Sequence, residues 1–447
     1  MRIHQFYDEG LAHASYAIEH NGEMALVDPG RDPQPYIAFA KDSGADITAV
    51  FETHPHADFA SSHLEFHNSF GAQVYVHPDM GVAYPHKVLK DGEEVEIGGL
   101  RVKALHTPGH SPDHHAYLLH DAGGHPHAIF TGDSLFIGDV GRPDLRENAG
   151  NFNLTRSELA GKMYETMQQV FKPLPDSVIV YPAHGAGSLC GKNMSDETVS
   201  TIGAQRETNW AFSETDKTAF VDELLSGQPN VPKYFPFCVE ENRRGIAPYR
   251  SSLEKIARFE DANSRDEQIV VIDTRPSEAY KKGHLPNSIN IPDGEKFETW
   301  LGTLIGPGTA FYLAASDIQK TKELSAKAAK ISYEQFVKGL IALSEADFDK
   351  SNLQFAELGK VRSNPENYTI VDVRTAKEHQ EAPAFEQSVN VPLDQLLERA
   401  GKVGNGKPIA VHCAGGYRSA IAASILERAQ SNEVLDIGDD IKTILDQ

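Results

Sequence analysis

Short apolar runs that lead into a histidine or an aspartate recur along the first half of the chain. Runs such as "ITAVFETH", "AIFTGDS" and "SVIVYPAHG" alternate with turn signals and with helix-like segments. This alternation predicts a layered α/β domain, because buried strands read as short apolar runs bounded by polar loops. The polar residues just past these strands include His54, His110, Asp133 and His184. Ligand sites in open α/β sheets form where strands end, so we expect these side chains to meet.

The stretch "THPHADF" (residues 53–59) begins this series with the pattern H-x-H-x-D. Imidazole and carboxylate groups are common metal ligands, so the ordered series predicts a metal site. A further histidine would complete H-x-H-x-D-H, but Phe59 stands in that place. The chain has 20 histidines, and most histidines outside such a series are surface residues. We assign His125 and His127, which lie in a Gly/Pro loop, to that class.

The motifs "THPHADF", "TPGHS", "TGDSLF" and "PAHG" resemble the signature series of the metallo-β-lactamase superfamily. The longer stretch "FTGDSLFIGDVGRPD" is similar to the persulfide dioxygenase branch. The resemblance covers roughly residues 1–245 and implies an αββα sandwich with its site at one sheet edge. It also implies one Fe(II) per chain, held by His54, His110 and Asp133.

In two-metal members of this superfamily, the aspartate and the last histidine of H-x-H-x-D-H serve a second metal. Phe59 removes one of these ligands, so we expect a single metal. The resemblance then makes His56 and Asp58 residues around the metal and His184 a residue of the substrate pocket. Two histidines and one carboxylate with open positions are associated with non-haem Fe(II) and O₂. The ligand types alone do not distinguish iron from zinc; the resemblance favours iron.

Two further residues are candidates for substrate binding. Arg142, in "GRPD", would supply a fixed cation for an anionic substrate. Cys190 follows His184 by six positions, and we expect Lys192 or loop N–H groups to lower the pKa of its thiol. The alternative is a loop cysteine without a role. Glutathione-using dioxygenases of this branch carry a tyrosine closely after the matching histidine; Gly185–Gly187 here predict a wider pocket without a unique preference for glutathione.

The second half contains an internal repeat. "QIVVIDTRPSEAYKKGHLPNSINIP" (residues 268–292) resembles "YTIVDVRTAKEHQEAPAFEQSVNVP" (residues 368–392). Each copy has an apolar strand, D-x-R, a polar helix-like stretch, a second strand that ends in proline, and then another apolar strand. We therefore predict two copies of one α/β domain, over residues 250–348 and 349–447, with the boundary near Asp349.

The stretch "CAGGYRS" (residues 413–419) follows the strand-like run "KPIAV". A thiol at a strand end before Ala-Gly-Gly fits a loop whose N–H groups stabilise a thiolate or persulfide, and Arg418 adds positive charge. An inert buried cysteine is one alternative. A phosphatase loop is another, although such loops generally have one more residue between cysteine and arginine. With "VDVR" upstream, the segment resembles a rhodanese domain, which implies sulfur transfer at Cys413.

The first copy carries "DTRPSEAYKKGHLPNSINIP", which also resembles rhodanese domains. Its loop differs. Alignment of "AFYLA" with "IAVHC" places Ala314 opposite Cys413 and Gln319 opposite Arg418. The thiol and the guanidinium are both missing, so we predict an inactive domain that serves packing or docking.

The whole chain resembles bacterial fusions of persulfide dioxygenase with tandem rhodanese domains. The resemblance implies oxidation of low-molecular-weight thiol persulfides by O₂ to sulfite, and transfer of a second sulfur to sulfite at Cys413, which gives thiosulfate. Tethering raises the effective concentration of the shared sulfite. Two alternatives remain open: a zinc hydrolase of the glyoxalase II type with an attached sulfurtransferase, and a sulfur-carrier or persulfide-binding protein.

Charge and cysteine usage restrict the partners. A formal net charge of -22 argues against nucleic acid or an anionic membrane surface as a partner. Three cysteines that lie far apart indicate no disulfide framework and a reducing, cytoplasmic setting. We see no signal peptide and no run of about 18 apolar residues, so we expect no membrane span. We expect a homo-oligomer.

Overall fold

The chain, seen in a computed structural model that describes residues 1–146, 154–228, 230–344, 348, 353–429 and 432–445, divides into two compact units. The first unit comprises Met1–Ser252 and the short segment Ala329–Ser332. The second comprises Leu253–Ala328 and Tyr333–Gln447. No helix within the described ranges is long and apolar enough to span a membrane.

The first unit contains two six-stranded sheets. The first sheet has the order β1-β2-β3-β4-β5-β6; β1, β2 and β3 pair antiparallel, and β3 to β6 pair parallel. Its strands are β1 Arg2–Asp8, β2 His13–His20, β3 Glu23–Val27, β4 Asp46–Phe51, β5 Gln73–Val76 and β6 Lys87–Val88.

The second sheet has the order β12-β11-β10-β9-β8-β7, and only β10 and β11 pair parallel. Its strands are β7 Glu94–Ile97, β8 Leu100–His106, β9 His115–His120, β10 Pro126–Gly132, β11 Ile179–Pro182 and β12 Ser200–Thr201.

Apolar side chains from both sheets form one core between them, which includes Tyr16, Phe51, Tyr117 and Phe130. Separate apolar clusters pack α1 and α2 on the first sheet and α3 and α6 on the second. These four layers are the αββα sandwich predicted from the sequence. The helices up to residue 254 are α1 Gln34–Ser43, α2 His63–Phe70, α3 Arg156–Thr166, α4 Ile202–Thr208, α5 Trp210–Ser213, α6 Lys217–Leu225, α7 Phe235–Arg244 and α8 Tyr249–Glu254.

The second unit contains two five-stranded parallel sheets with equivalent strand orders, β13-β17-β16-β14-β15 and β18-β22-β21-β19-β20. The internal repeat is therefore confirmed. The first copy has β13 Arg258–Phe259, β14 Val270–Asp273, α9 Ser277–Lys282, β15 Ser288–Asn290, α10 Phe297–Leu304, β16 Phe311–Ala315, α11 Ile318–Ala329 and β17 Val337–Ala342. The second has β18 Gln354–Phe355, α12 Leu358–Ser363, β19 Thr369–Asp372, α13 Ala376–Glu381, β20 Val389–Asn390, α14 Leu393–Arg399, β21 Ile409–His412, α15 Tyr417–Ala429, β22 Val434–Asp436 and α16 Lys442–Leu445.

Strand register corrects one pairing between the copies. Asp273 of the first D-x-R motif lies opposite Ala314, whereas Asp372 of the second lies opposite His412. Ala314 therefore corresponds to His412, and the residue that corresponds to Cys413 is Ala315, so the predicted pairing of Ala314 with Cys413 is wrong by one residue. The gap-free alignment failed because the first loop is one residue shorter: α11 begins three positions after Ala315, and α15 begins four after Cys413.

The predicted pairing of Gln319 with Arg418 agrees with the helices. Each of these residues is the second residue of the helix that follows the loop. The first copy thus has neither a thiol nor a guanidinium at these places. The predicted boundary near Asp349 lies outside the described residues.

Candidate metal centre and thiol loop

His54, His110 and Asp133 are brought together at one edge of the sandwich. His54 follows β4, His110 lies in the loop after β8, and Asp133 follows β10. All three are buried, and one ligand atom from each lies within 4.8 Å of the others. Two imidazoles and one carboxylate therefore converge as the sequence predicted, and their role as metal ligands stays a prediction.

Hydrogen bonding around this cluster suits a cation. His110 donates from Nδ1 to the Arg142 carbonyl at 2.9 Å, which leaves the Nε2 lone pair 3.6 Å from Asp133 Oδ2. Neither Asp133 oxygen accepts a hydrogen bond from a nitrogen or oxygen donor among the described residues, and the Cys190 thiol beside it is only a weak donor. A buried carboxylate without a strong donor is costly, and a bound metal ion would compensate that cost. The residues present therefore fit a metal.

A second buried carboxylate, Asp28, contacts residues of the stretch "THPHADF". It accepts hydrogen bonds from the Thr53 N–H and hydroxyl, both at 2.8 Å, and lies 3.1 Å from His56 Nε2. Burial alone would lower the pKa of His56, but Asp28 outweighs it and raises that pKa to about 9. His56 is thus paired with Asp28 beside the cluster, and its place around a metal stays a prediction.

Phe59 stands where the pattern H-x-H-x-D-H would have its last histidine. Its ring is buried and stacks on His13 with ring centroids 3.6 Å apart. Asp58 Oδ2 lies 3.3 Å from His184 Nε2, and the same nitrogen lies 3.5 Å from Asp133 Oδ1. Asp58 and His184 therefore form a pair next to the candidate ligand Asp133.

Cys190 also lies at this cluster, since its sulfur is within 4.8 Å of ligand atoms of Asp58 and His184. Burial and the carboxylates of Asp58 and Asp133 raise the pKa of the Cys190 thiol well above its usual range. The expectation of a lowered pKa is therefore wrong. The Lys192 ammonium lies 2.9 Å from Glu223 Oε1 and 2.5 Å from the Glu223 carbonyl, so it is satisfied elsewhere.

Arg142 occupies a structural position in this region. Its guanidinium is buried and makes two hydrogen bonds to Asp144, at 2.6 and 2.8 Å, and one to the Leu189 carbonyl at 3.3 Å. Asp144 balances the charge of the Arg142 guanidinium, and the backbone carbonyl of Arg142 orients His110. Its role as a substrate cation stays a prediction.

A tyrosine from another strand approaches the small residues after His184. A Cβ on Gly185 would lie 2.7 Å from the Tyr7 hydroxyl, so the missing side chain makes room for Tyr7. A cavity of about 380 Å³ adjoins this contact, lined by Gln5, Tyr7, Glu9, Ala186, Asp196 and Thr198. Its charged lining residues are the carboxylates Glu9 and Asp196, and none of the candidate metal ligands lines it.

Asn242 of α7 is a supporting residue that sequence reasoning missed. Its amide donates to the carbonyls of His56 and Phe59, at 2.9 and 2.7 Å, and accepts from the Ser61 N–H at 2.8 Å. It therefore holds the backbone of the H-x-H-x-D motif from both sides. More than 180 positions separate Asn242 from these partners, so no local pattern could have indicated it.

The second predicted site is the loop after β21. Cys413 is buried, and the Gly416 N–H donates to its sulfur at 3.2 Å. Gly416 has φ +86°, and a Cβ there would clash with Asp439, so the loop requires glycine at this place. A donor N–H aimed at sulfur is the arrangement expected for a loop that stabilises a sulfur anion.

Arg418 is held in place by a residue that sequence reasoning also missed. Its guanidinium makes two hydrogen bonds to Glu378, at 2.7 and 2.9 Å. Burial would raise the pKa of Glu378, but Arg418 outweighs it, and that pKa is lowered to about 2. The signal for Glu378 was its capping box with Thr375 at the start of α13.

Comparisons with known proteins match both halves of the chain. A model of the metallo-beta-lactamase superfamily matches residues 8–184, and a model of the rhodanese-like domain matches residues 257–340 and 356–442. A solved metallo-beta-lactamase from Staphylococcus aureus subsp. aureus COL aligns with TM-score 0.68 and 32% identity over 76% of this chain and 98% of that one. The structure of ETHE1 from Myxococcus xanthus aligns with TM-score 0.47 and 26% identity over 54% of this chain and 98% of that one.

A probable hydroxyacylglutathione hydrolase of Schizosaccharomyces pombe is 33% identical over 171 residues. That match covers 37% of this chain and 60% of the relative, so the chain spans about 60% of the length of this hydrolase. The family models confirm the predicted fold class, a metallo-β-lactamase domain followed by rhodanese-like domains.

We predict that Asn242→Ala weakens metal binding by about 10- to 100-fold, the usual effect of removing a group that orients a ligand segment. The measurement is the rate and extent of metal transfer to a chelator. Asn21→Ala is the control, because it also removes one side-chain hydrogen bond, which runs to the Gly98 carbonyl. Asn21 directly follows β2, whereas His13 is the first residue of that strand, at its other end. Equal metal loss from both variants would contradict the role of Asn242.

Proposed function

Because the chain belongs to the metallo-β-lactamase superfamily and carries two rhodanese-like domains beyond that fold, we propose that it is a non-haem iron persulfide dioxygenase coupled to a sulfurtransferase. A low-molecular-weight thiol persulfide, O₂ and water give the thiol, sulfite and two protons. A second persulfide passes its outer sulfur to sulfite, which gives thiosulfate and the second thiol. The observation that carries the proposal is a two-histidine, one-carboxylate cluster, with the Phe59 ring stacked on His13 beside it, in one chain with the Cys413 loop.

His54, His110 and Asp133 would hold the metal. Bound Fe(II) would supply redox chemistry toward O₂ and the persulfide, which d¹⁰ zinc lacks. The chain's own groups act around it. Phe59 would exclude water and a second cation. The neighbouring His184 donates from Nδ1 to the Ala12 carbonyl, so its Nε2 would present a lone pair to the substrate as a hydrogen-bond acceptor. The high pKa of Cys190 keeps its thiol protonated, so this group acts as a hydrogen-bond donor rather than as a nucleophile.

At the second site, the Cys413 thiolate attacks the outer sulfur of a persulfide. The S–S bond of that persulfide breaks, the thiol leaves with a proton, and Cys413 carries a persulfide. A sulfite lone pair then attacks the outer sulfur, and the Cys413 thiolate leaves as thiosulfate forms. The Gly416 N–H stabilises the sulfur anion, and Arg418 adds positive charge for sulfite.

A hydrolase of the glyoxalase II type is the second candidate, favoured by the similarity of the first domain to a probable hydroxyacylglutathione hydrolase. Phe59 argues against it, since a two-metal hydrolytic site would need a ligand there. Zinc in the purified protein and thioester cleavage without O₂ uptake would support the hydrolase. A sulfur-carrier protein would transfer sulfur without consuming O₂.

We predict one iron per chain and loss of O₂ uptake in His110→Ala and in Asp133→Ala, because each removes a ligand. Sulfur transfer at Cys413 should continue in both variants. The measurements are metal analysis and an O₂ electrode with glutathione, coenzyme A and cysteine persulfides. His125→Ala, an exposed histidine of the same domain, is the matched control and should keep full uptake. Two metals per chain in the purified wild type would contradict the single-metal site.

Cys413→Ser should stop thiosulfate formation from persulfide and let sulfite accumulate, because the sulfur carrier is lost while oxidation continues. Chromatography of derivatised sulfite and thiosulfate measures both products. Cys238→Ser replaces another buried cysteine, in α7, and serves as the control. Unchanged thiosulfate in Cys413→Ser would show that the assignment is wrong. Ala315→Cys in the first copy should not restore transfer, since that loop has Gln319 in place of an arginine.

Cys190→Ala should lower dioxygenase turnover with unchanged iron content, because it removes the donor beside Asp58 and Asp133, and Cys190→Ser, which keeps a donor, should lower it less. Glutathione persulfide should not be uniquely preferred, because Gly185–Gly187 follow His184 where glutathione-using dioxygenases are expected to carry a tyrosine. Turnover and iron per chain, measured together with those of Cys238→Ser, check the first point, and relative kcat/KM values for several persulfides check the second. Wild-type turnover in Cys190→Ala together with strict glutathione specificity would defeat both.

A further inference from the structure

The Cys413 loop contacts the first rhodanese-like copy. That copy has no thiol in its own corresponding loop. The Tyr417 hydroxyl donates a hydrogen bond of 2.8 Å to the carbonyl of Pro292, a buried residue just past β15. A Cβ on Gly294 would lie 3.2 Å from the Tyr417 ring, so the tyrosine lies flush against this segment. The two copies belong to one compact unit.

Tyr417 stands between the two groups that act on sulfur. Gly416, one residue earlier, supplies the N–H that reaches Cys413. Arg418, one residue later, supplies the guanidinium. A side chain anchored at the middle of this tripeptide restricts the backbone on both sides. The anchor therefore fixes the direction of the Gly416 N–H and the backbone position of Arg418, whose guanidinium Glu378 then holds.

The segment that receives Tyr417 is itself fixed within the first copy. Asp293, the residue after Pro292, forms ion pairs of 2.5 Å with Lys320 and with Lys327, both on α11. The Asp293 N–H also donates to the Thr274 carbonyl at 2.9 Å. The helix α11 occupies the place that α15 has in the second copy. The first copy thus uses its own loop helix to hold the segment that anchors the loop of its neighbour.

We infer that the first rhodanese-like copy is a structural half of the sulfur-transfer site, with Tyr417 as a positioning residue that fixes the Gly416 N–H and Arg418 around the Cys413 sulfur. The inference rests on the proposed role of Cys413 as the sulfur carrier. It gives the first copy a function that requires neither a cysteine nor an arginine in its own loop. The required partners are instead the Pro292 carbonyl and the ion pairs of Asp293.

The test compares Tyr417→Phe with Ser424→Ala in the full chain. Ser424 accepts a hydrogen bond of 2.9 Å from the Asn290 N–H, so it also joins the two copies, but it lies further along α15, away from the loop. Each variant loses one hydrogen bond between the copies. The readouts are kcat and KM for sulfur transfer, the rate of Cys413 alkylation by iodoacetamide as a function of pH, the unfolding temperature, and O₂ uptake.

Tyr417→Phe should lower kcat for sulfur transfer about tenfold, the factor that one buried hydrogen bond is worth. It should also raise the midpoint of the alkylation profile by about one pH unit, because the thiolate loses an aligned donor. KM and O₂ uptake should not change. Asp293→Asn should cause a smaller loss of kcat in the same direction, and Ser424→Ala should keep the wild-type kcat and profile.

Three results would overturn the inference: a wild-type kcat and alkylation profile in Tyr417→Phe, equal losses in Tyr417→Phe and Ser424→Ala, or a loss in Tyr417→Phe that follows only its unfolding temperature. Failure of the proposed function is distinguishable. If the wild type transfers no sulfur, the assignment of Cys413 as carrier is wrong, whereas the alkylation profiles still report whether Tyr417 controls the environment of that sulfur.

Discussion

The first unit depends on one buried carboxylate that its own side chains leave unsatisfied. Asp133 is fully buried, and neither of its oxygens accepts a hydrogen bond from a nitrogen or oxygen donor among the described residues. A buried carboxylate of this kind is costly, and a cation bound between it and the neighbouring imidazoles would offset that cost. His54 and His110 face the same point, and the tautomer of His110 is set by the Arg142 carbonyl. The surrounding loops are arranged to present these three groups.

Phe59 is the residue on which the proposal of a single cation rests. Its ring stacks on His13 and lies 4.2 Å from the ring of His56, which in turn is paired with Asp28. An apolar ring in the place of a ligand leaves Asp58 and His184 to pair with each other. Groups that would hold a second metal thereby become polar groups beside the substrate position, as the proposed oxidation of a persulfide at one iron requires.

The sequence predicted the features that arise from local pattern, and it missed those that arise from tertiary contact. Strand ends carry His54, His110 and Asp133, so their convergence follows from the layered fold. The shift in the pKa of Cys190 was predicted in the wrong direction. The prediction considered the neighbouring Lys192 in the sequence, whereas burial and the carboxylates of Asp58 and Asp133 raise this pKa. Asn242 and the partner of Tyr417 lie far along the chain from the groups they support.

Coupling of the two halves is the central claim, and product stoichiometry tests it most directly. Purified wild-type protein would be given a limiting thiol persulfide whose outer sulfur is isotopically labelled, and O₂ uptake, thiol and thiosulfate would be measured together. The account predicts one O₂ consumed and two thiols released for each thiosulfate, with label in both sulfur atoms of the thiosulfate. Thiosulfate formed without O₂ uptake, or thiol released from thioesters by a zinc-loaded protein that leaves persulfides unoxidised, would contradict it.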